Sequence, residues 1–216
     1  MSRVRYIFLA AGLLSLALMS PSLACKGATE IYSDDFQSRD AGWFVQQADL
    51  QSGKVTVGDG RVLVKEGGQR GYSILNFAFA LPADTDICVK ARILQSADLA
   101  KASVGVLFWA KGYDDNYVFQ ATGDGKYFVA HFFNRAWEVI TPAATSDTFK
   151  SGLGEDNLLR VMTKGQTVTL FVNDSQVAKF RAPVPAGLVK AGFRAGAIGS
   201  DPVAVEFRDF KVTTPP

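Results

Sequence analysis

The stretch 112–133, GYDDNYVFQATGDGKYFVAHFF, holds eight aromatic or histidine rings in twenty-two residues. Rings at that density either fill a core or line a surface. On a surface, the C–H face of a sugar stacks on a ring while nearby amides or imidazoles orient its hydroxyl groups. Trp109 precedes the stretch, Trp137 follows it, and Asn116, Gln120 and His131 lie within it. Trp109, Asn116, Gln120, His131 and Trp137 are therefore the candidate ligand-binding residues. In the competing reading the two tryptophans cap a core and His131 is a partly buried strand residue.

Other chemistries need residues that the chain does not supply in the right pattern. His131 is the only histidine, which is a poor start for a catalytic triad or a zinc site. Glutamate occurs at 30, 66, 138, 155 and 206, and no pair has the spacing that sets two carboxyl groups across a glycosidic bond. Glu206 and Arg208 share one face of a strand and read as a solvent-facing charge pair, worth under about 1 kcal/mol. Asp114, Asp115 and Asn116 could offer oxygen ligands to calcium, but three polar residues between strands read first as a turn. No catalytic residue, metal ligand or cofactor is nominated.

The elements that must position these residues are strands. From residue 30 onward, short alternating or β-branched runs are broken by Gly, Asp, Asn and Pro, as antiparallel strands require. Strands are expected at 31–36, 43–47, 54–58, 61–66, 72–79, 86–94, 103–110, 116–122, 126–133, 136–140, 157–163, 167–172, 176–180, 187–193 and 203–212, with no helix. Gly58-Asp59-Gly60, Gly123-Asp124-Gly125, Lys164-Gly165-Gln166 and Asn173-Asp174-Ser175 supply the reversals. With a two-residue period, Tyr117, Phe119 and Ala121 share one face, and Val118, Gln120 and Thr122 the other, less buried one. The same period sets Val104, Val106, Phe108 and Ala110 toward the core and projects Trp109 away from it, beside Gly105 and Leu107. So many short strands point to stacked sheets in one domain over 25–216: a jelly-roll-like sandwich or a barrel, since the blade-length repeat of a propeller is not seen.

The order of motifs says more. Ser33-Asp34-Asp35-Phe36 opens the series, followed by Gly60-Arg61-Val62-Leu63-Val64 and Val104-Gly105-Val106-Leu107-Phe108-Trp109. Asp115-Asn116-Tyr117-Val118-Phe119, Gly125-Lys126-Tyr127, Trp137 and Asn157-Leu158-Leu159-Arg160-Val161 come next. The hairpin from Thr169 through Asn173-Asp174 to Val177, then Gly192-Phe193 and Val205-Glu206-Phe207-Arg208-Asp209-Phe210-Lys211-Val212, complete it. This order, over residues 31–213, resembles the concanavalin A-like lectin/glucanase superfamily, in particular its bacterial laminin-G-like and 3-keto-disaccharide-hydrolase-like branch. The resemblance implies an all-β, two-sheet antiparallel jelly roll whose first and last strands are neighbours. It also implies carbohydrate or envelope-glycan binding. A keto-sugar glycoside hydrolase and a structural or adhesive envelope module are the alternatives. The Glu-x-Asp-x-x-Glu strand of the laminarinase-type glucanases is absent.

Arg3 and Arg5, the apolar run Tyr6 to Met19, and Ser22-Leu23-Ala24 read as a secretory signal over 1–24, cleaved after Ala24, for a periplasmic or secreted protein. The apolar run is too short to span a membrane. The full chain carries a formal charge of +2, and removal of the leader leaves 21 basic against 21 acidic residues. That balance points to no nucleic acid partner, and a monomer is expected. The two cysteines, Cys25 and Cys88, could pair in an oxidising compartment. Cys25 could instead stay free or carry a lipid, although Ser22 stands where a lipobox has leucine.

Overall fold

Period-two runs bury one side of each strand, and the chain satisfies this by laying two antiparallel sheets face to face. The structure, a computed structural model, describes residues 25–38, 42–67, 71–197, 199 and 201–216. The leader expected over 1–24 lies outside the described residues.

Among the described residues, fourteen strands form. One sheet contains β1 (Glu30–Asp34), β2 (Val55–Gly58), β3 (Arg61–Gly67), β5 (Asp86–Gln95), β10 (Asn157–Lys164), β11 (Thr167–Val172), β12 (Ser175–Arg181) and β14 (Pro202–Thr213). Its order is β12-β11-β10-β5-β14-β3-β2, with β1 also paired to β14. The second contains β4 (Tyr72–Leu75), β6 (Ala102–Gly112), β7 (Asp115–Thr122), β8 (Lys126–Phe133), β9 (Ala136–Thr145) and β13 (Lys190–Ala197), in the order β4-β13-β6-β7-β8-β9. The first strand lies beside the last, with Asp34 opposite Phe210.

Two expectations fail near residue 45. The segment 43–47 is not a strand: Trp43 makes one isolated bridge to Asn76, and Gln47–Gln51 is a short helix, α1. Trp43 buries its ring instead, 4.7 Å from Phe193 and 4.9 Å from Phe210, and donates its indole N–H to Asp34 at 2.6 Å. Gln-Ala-Asp-Leu-Gln are tolerable helix formers, and Gly53, at φ 71°, takes the left-handed position that ends the turn. Strand β4 is also shorter than expected, because the Asn76 side chain accepts the N–H of Ala78 at 2.8 Å and pulls the chain off the ladder.

The core lies between the sheets, where Phe193 of β13 stacks on Phe207 of β14 at 4.5 Å. Cys25 and Cys88 are joined in a disulfide that ties the segment before β1 to β5.

The pair formed by Glu206 and Arg208 is not solvent-facing. The Glu206 carboxylate is buried and takes contacts from Arg92 at 2.8 Å, Arg208 at 3.0 Å and Arg61 at 3.1 Å. Alternation alone put it on the sheet's outer side. Three guanidinium groups from three adjacent strands cover it there, since a buried carboxylate is tolerable only when paired.

Candidate ligand-binding site

The outer face of the six-stranded sheet is floored by small and apolar residues. Leu75, Leu107, Ala110, Val118 and Ala130 form a second apolar cluster there, separate from the main core, with Tyr113 and Phe128 packed on it. Glycine keeps part of this floor low. Gly192 lies between Leu75 and Leu107, and Gly105 between Arg194 and Gln120. A Cβ at Gly196 would stand 2.0 Å from Ser103 Oγ and 2.2 Å from Gln120 Nε2.

Aromatic rings bank the floor at both ends. On the β9 side Trp137 is 46% exposed, opposite Phe132. On the β4 side Phe44, Phe77 and Tyr113 form a triangle of rings with centroids 5.8–6.2 Å apart. Tyr113 reaches across from the β6–β7 turn, where its hydroxyl accepts the Leu75 N–H at 3.3 Å and donates to the Phe44 carbonyl at 3.4 Å. Burial pushes its phenol pKa up. Beside it a cavity of about 270 Å³ is lined by Phe44, Gln46, Gly71, Tyr72, Ser73 and Tyr113, near the lower end of ligand-pocket sizes.

Between the banks lies Arg194. Its Nη1 donates to Ser73 Oγ at 2.6 Å, and its guanidinium carbon is 5.1 Å from the Trp137 ring centroid. Strands β6, β7 and β8 separate the two residues' strands, a span of roughly 19 Å. Both side chains must therefore lean over the floor to meet. Desolvation pulls the Arg194 pKa down, and Glu66 opposes the shift.

No protein-family model matches the chain, and no curated protein matches its sequence. Solved structures do match. Carbohydrate-binding module CBM66 from Bacillus subtilis superposes with a TM-score of 0.59 at 14% identity, covering 83% of this chain and 99% of that one. The Bacillus licheniformis β-glucanase gives 0.63 at 8%, covering 85% and 97%. A lichenase from a mouse hindgut metagenome gives 0.63 at 8%, covering 85% and 98%. The fold is a concanavalin A-like jelly roll. Identities this low speak to architecture alone.

Within the jelly roll, the five residues singled out in the sequence do not form one site. Trp109 corrects the expectation that it projects from the sheet. It is 1% exposed, sits in the main core, and donates its indole N–H to Ala83 O at 2.7 Å. A bulge is the reason: three residue steps of β6 from Leu107 to Ala110 face two steps of β13 from Gly192 to Lys190. Trp109 takes a left-handed φ of 49° and turns inward beside Phe108. It cannot stack a sugar.

Asn116, Gln120 and Trp137 share the outer face by register, whereas His131 is on the other side of β8. Asn116 is buried, and its amide donates to the Gly112 and Tyr113 carbonyls at 3.2 and 3.1 Å, so it holds the β6–β7 turn. Gln120 is buried and donates to Ser103 Oγ. His131 stacks flat on Tyr117 at 4.1 Å, and its Nε2 lies 2.8 Å from Asp115 Oδ1. That contact occupies Asp115, while the Asn116 amide serves the backbone. Among the described residues, the one cluster with metal-ligand atoms close together is Cys25, Asp86 and Cys88, whose two sulfurs are bonded to each other.

Arg194, Ser73, Phe44 and Tyr113 are additions that the sequence reading passed over. One signal was available. In Gly192-Phe193-Arg194-Ala195-Gly196, period two puts a lone charge between two glycines on one face, an unusual pattern for a strand unless something approaches closely there.

Proposed function

We propose that this is an exported glycan-binding jelly roll that holds a saccharide on the outer face of its six-stranded sheet, between Trp137 and the Phe44–Tyr113 bank. The reading is carried by the placement of large exposed rings, Trp137 at one edge of the face and Phe44, 52% exposed, at the other, on either side of a buried apolar floor of leucine, valine and alanine on which Tyr113 and Phe128 pack. Exposed rings of this size are costly to hydrate and suit the C–H faces of sugars. Ser73 and Gln46, at the cavity, supply short polar groups for hydroxyl orientation. The superposition on a carbohydrate-binding module and on β-glucanases supports a saccharide as the ligand class.

Hydrolysis of keto-sugar or ordinary glycosides is the alternative. A glycosidase of the usual kind needs two carboxyl groups flanking the bond, and the residues named on this floor and its banks include none. Export is supported by the Arg3-to-Ala24 leader pattern and by the Cys25–Cys88 disulfide, which suits an oxidising compartment. No described helix is long and apolar enough to cross a membrane.

The test is a glycan array followed by titration of a responding saccharide, reading tryptophan fluorescence. Binding should fall for Trp137→Ala by about tenfold, the scale of one lost aromatic contact of 1.5 kcal/mol, with thermal stability unchanged because the ring is half exposed. Absence of binding to every saccharide, or an unaffected Trp137→Ala variant, would remove the proposal. Release of product from disaccharides would transfer it to the hydrolase reading. N-terminal sequencing of exported protein should begin at Cys25.

A further inference from the structure

Strand β13 carries two basic residues on the outer face, Lys190 and Arg194, four positions and roughly 13 Å apart. Neither has a carboxylate partner among the described residues. Each lies over an aromatic ring instead: Lys190 Nζ is 5.0 Å from Phe77, and Arg194 is 5.1 Å from Trp137. The contrast with the opposite sheet is sharp. There Arg61, Arg92 and Arg208 share Glu206, Arg160 is clamped on Asp86 at 2.6 Å, and Lys90 meets Asp209 at 2.8 Å.

An arginine withdrawn from water without a counter-charge is unfavourable unless something else compensates. Ring contact compensates in part, and it covers only a face of the guanidinium. The in-plane donors are what recognise oxyanions. Of these, Nη1 is used by Ser73, and no described residue accepts from the others. Gly71 lets the guanidinium lie in this position, since a Cβ there would stand 2.6 Å from Nη2. Gly71 and Ser73 also line the cavity beside Tyr113. Glu66, the carboxylate that acts on Arg194, is itself held by Lys54 at 3.3 Å.

Resting on the glycan-binding reading, we propose that the ligand is an acidic glycan, its sugar on the aromatic banks and an oxyanion substituent, a uronate carboxylate or a sulfate ester, held by the free donors of Arg194, with Lys190 drawing a second anionic unit along β13. An anionic ligand explains why two cations with no carboxylate partner among the described residues stand on the face that also presents the exposed rings.

The experiment compares, by titration at fixed low salt, an oligogalacturonate, a sulfated oligosaccharide, a neutral gluco-oligosaccharide of equal length, and polyglutamate. Wild type should bind an acidic saccharide at least about tenfold tighter than the neutral one, and whichever acidic probe binds more tightly names the anion. In Arg194→Gln that preference should collapse toward one, while Arg194→Lys, which keeps the charge and loses the fork, retains part of it. Lys190→Gln should reduce it by a smaller factor. Equal affinity for acidic and neutral saccharides, or an unchanged preference in a folded Arg194→Gln, overturns the proposal and leaves the glycan reading standing. Polyglutamate binding as tightly as the best saccharide overturns it in favour of a plain anion site. Failure of every saccharide overturns both readings together.

Discussion

Trp109 Nε1 donates to the carbonyl oxygen of Ala83 at 2.7 Å, and Thr163 Oγ1 donates to the same oxygen at 2.6 Å. One carbonyl just before β5 thus joins a residue of the six-stranded sheet to a residue of the eight-stranded one. The indole is a fastener between layers, which is why its ring is withdrawn from the surface.

Because Thr163 remains on the carbonyl, Trp109→Phe does not orphan a buried acceptor and should cost about 1 kcal/mol. Trp109→Ala leaves a large void and should cost about 3–5 kcal/mol. Urea denaturation measures both. Similar losses for the two variants would show that the hydrogen bond, and not the packed ring, dominates.

Glu206 is contacted by three guanidinium groups that are 29–43% exposed at the side chain, while its own carboxylate is fully covered. Glu206→Gln should therefore destabilise by about 3 kcal/mol, the lower end for breaking a buried ion pair, since the arginines can turn to water. Arg61→Ala removes the most exposed of the three and should cost under about 1 kcal/mol. Thermal melts of the two variants should differ plainly.

The disulfide closes a loop with a sequence separation of 63. Constraining a loop of that length in the unfolded chain is worth about 4 kcal/mol at most in the chain-entropy account. Paired Cys25→Ser and Cys88→Ser substitutions should lower stability by about 2–4 kcal/mol. The oxidised protein's intact mass should be lighter than the reduced form by two hydrogens, and an acyl mass on Cys25 would contradict the bond.

Burial, then the nearby Asp34 charge, then the hydrogen bond to Asp34, push the Tyr32 phenol up to about 12, against the weaker opposing effect of Asn76. The folded state thus holds this proton more tightly than the unfolded chain does. Its contribution to stability is complete below the ordinary tyrosine pKa of about 10 and disappears as pH rises through about 12. Burial also raises the phenols of Tyr72, Tyr113 and Tyr117, so the test is the difference between the ultraviolet titrations of wild type and Tyr32→Phe, which should be one late-ionising tyrosine near pH 12. A Tyr32 transition near pH 10 in folded protein would refute the assignment.

Much of this architecture was written in local order. Alternation marks most of the strands, and Asn173-Asp174, both at positive φ, make the β11–β12 hairpin as their side chains allow. The division of β7 into a core face of Tyr117, Phe119 and Ala121 and an outer face of Val118 and Gln120 follows from period two alone. Those features depend on neighbours one or two residues away, so sequence suffices.

What only the tertiary structure decided is where the period breaks and which distant groups meet. Left-handed residues at Trp109 and Asp209 insert one extra residue each into β6 and β14, reversing the parity that alternation assigns and bringing Phe207 and Phe210 to the same core. The Trp109 side chain announces no bulge and an aspartate at 209 only tolerates one, because the pairing strands set where it falls. Likewise Arg194 reaches Trp137, and Glu206 gathers three arginines, because sheet order places β13, β9, β3, β5 and β14 as it does. Periodicity is a property of consecutive residues; a binding face is a property of strands far apart in the chain, and its charge and ring pattern exist only once they are side by side.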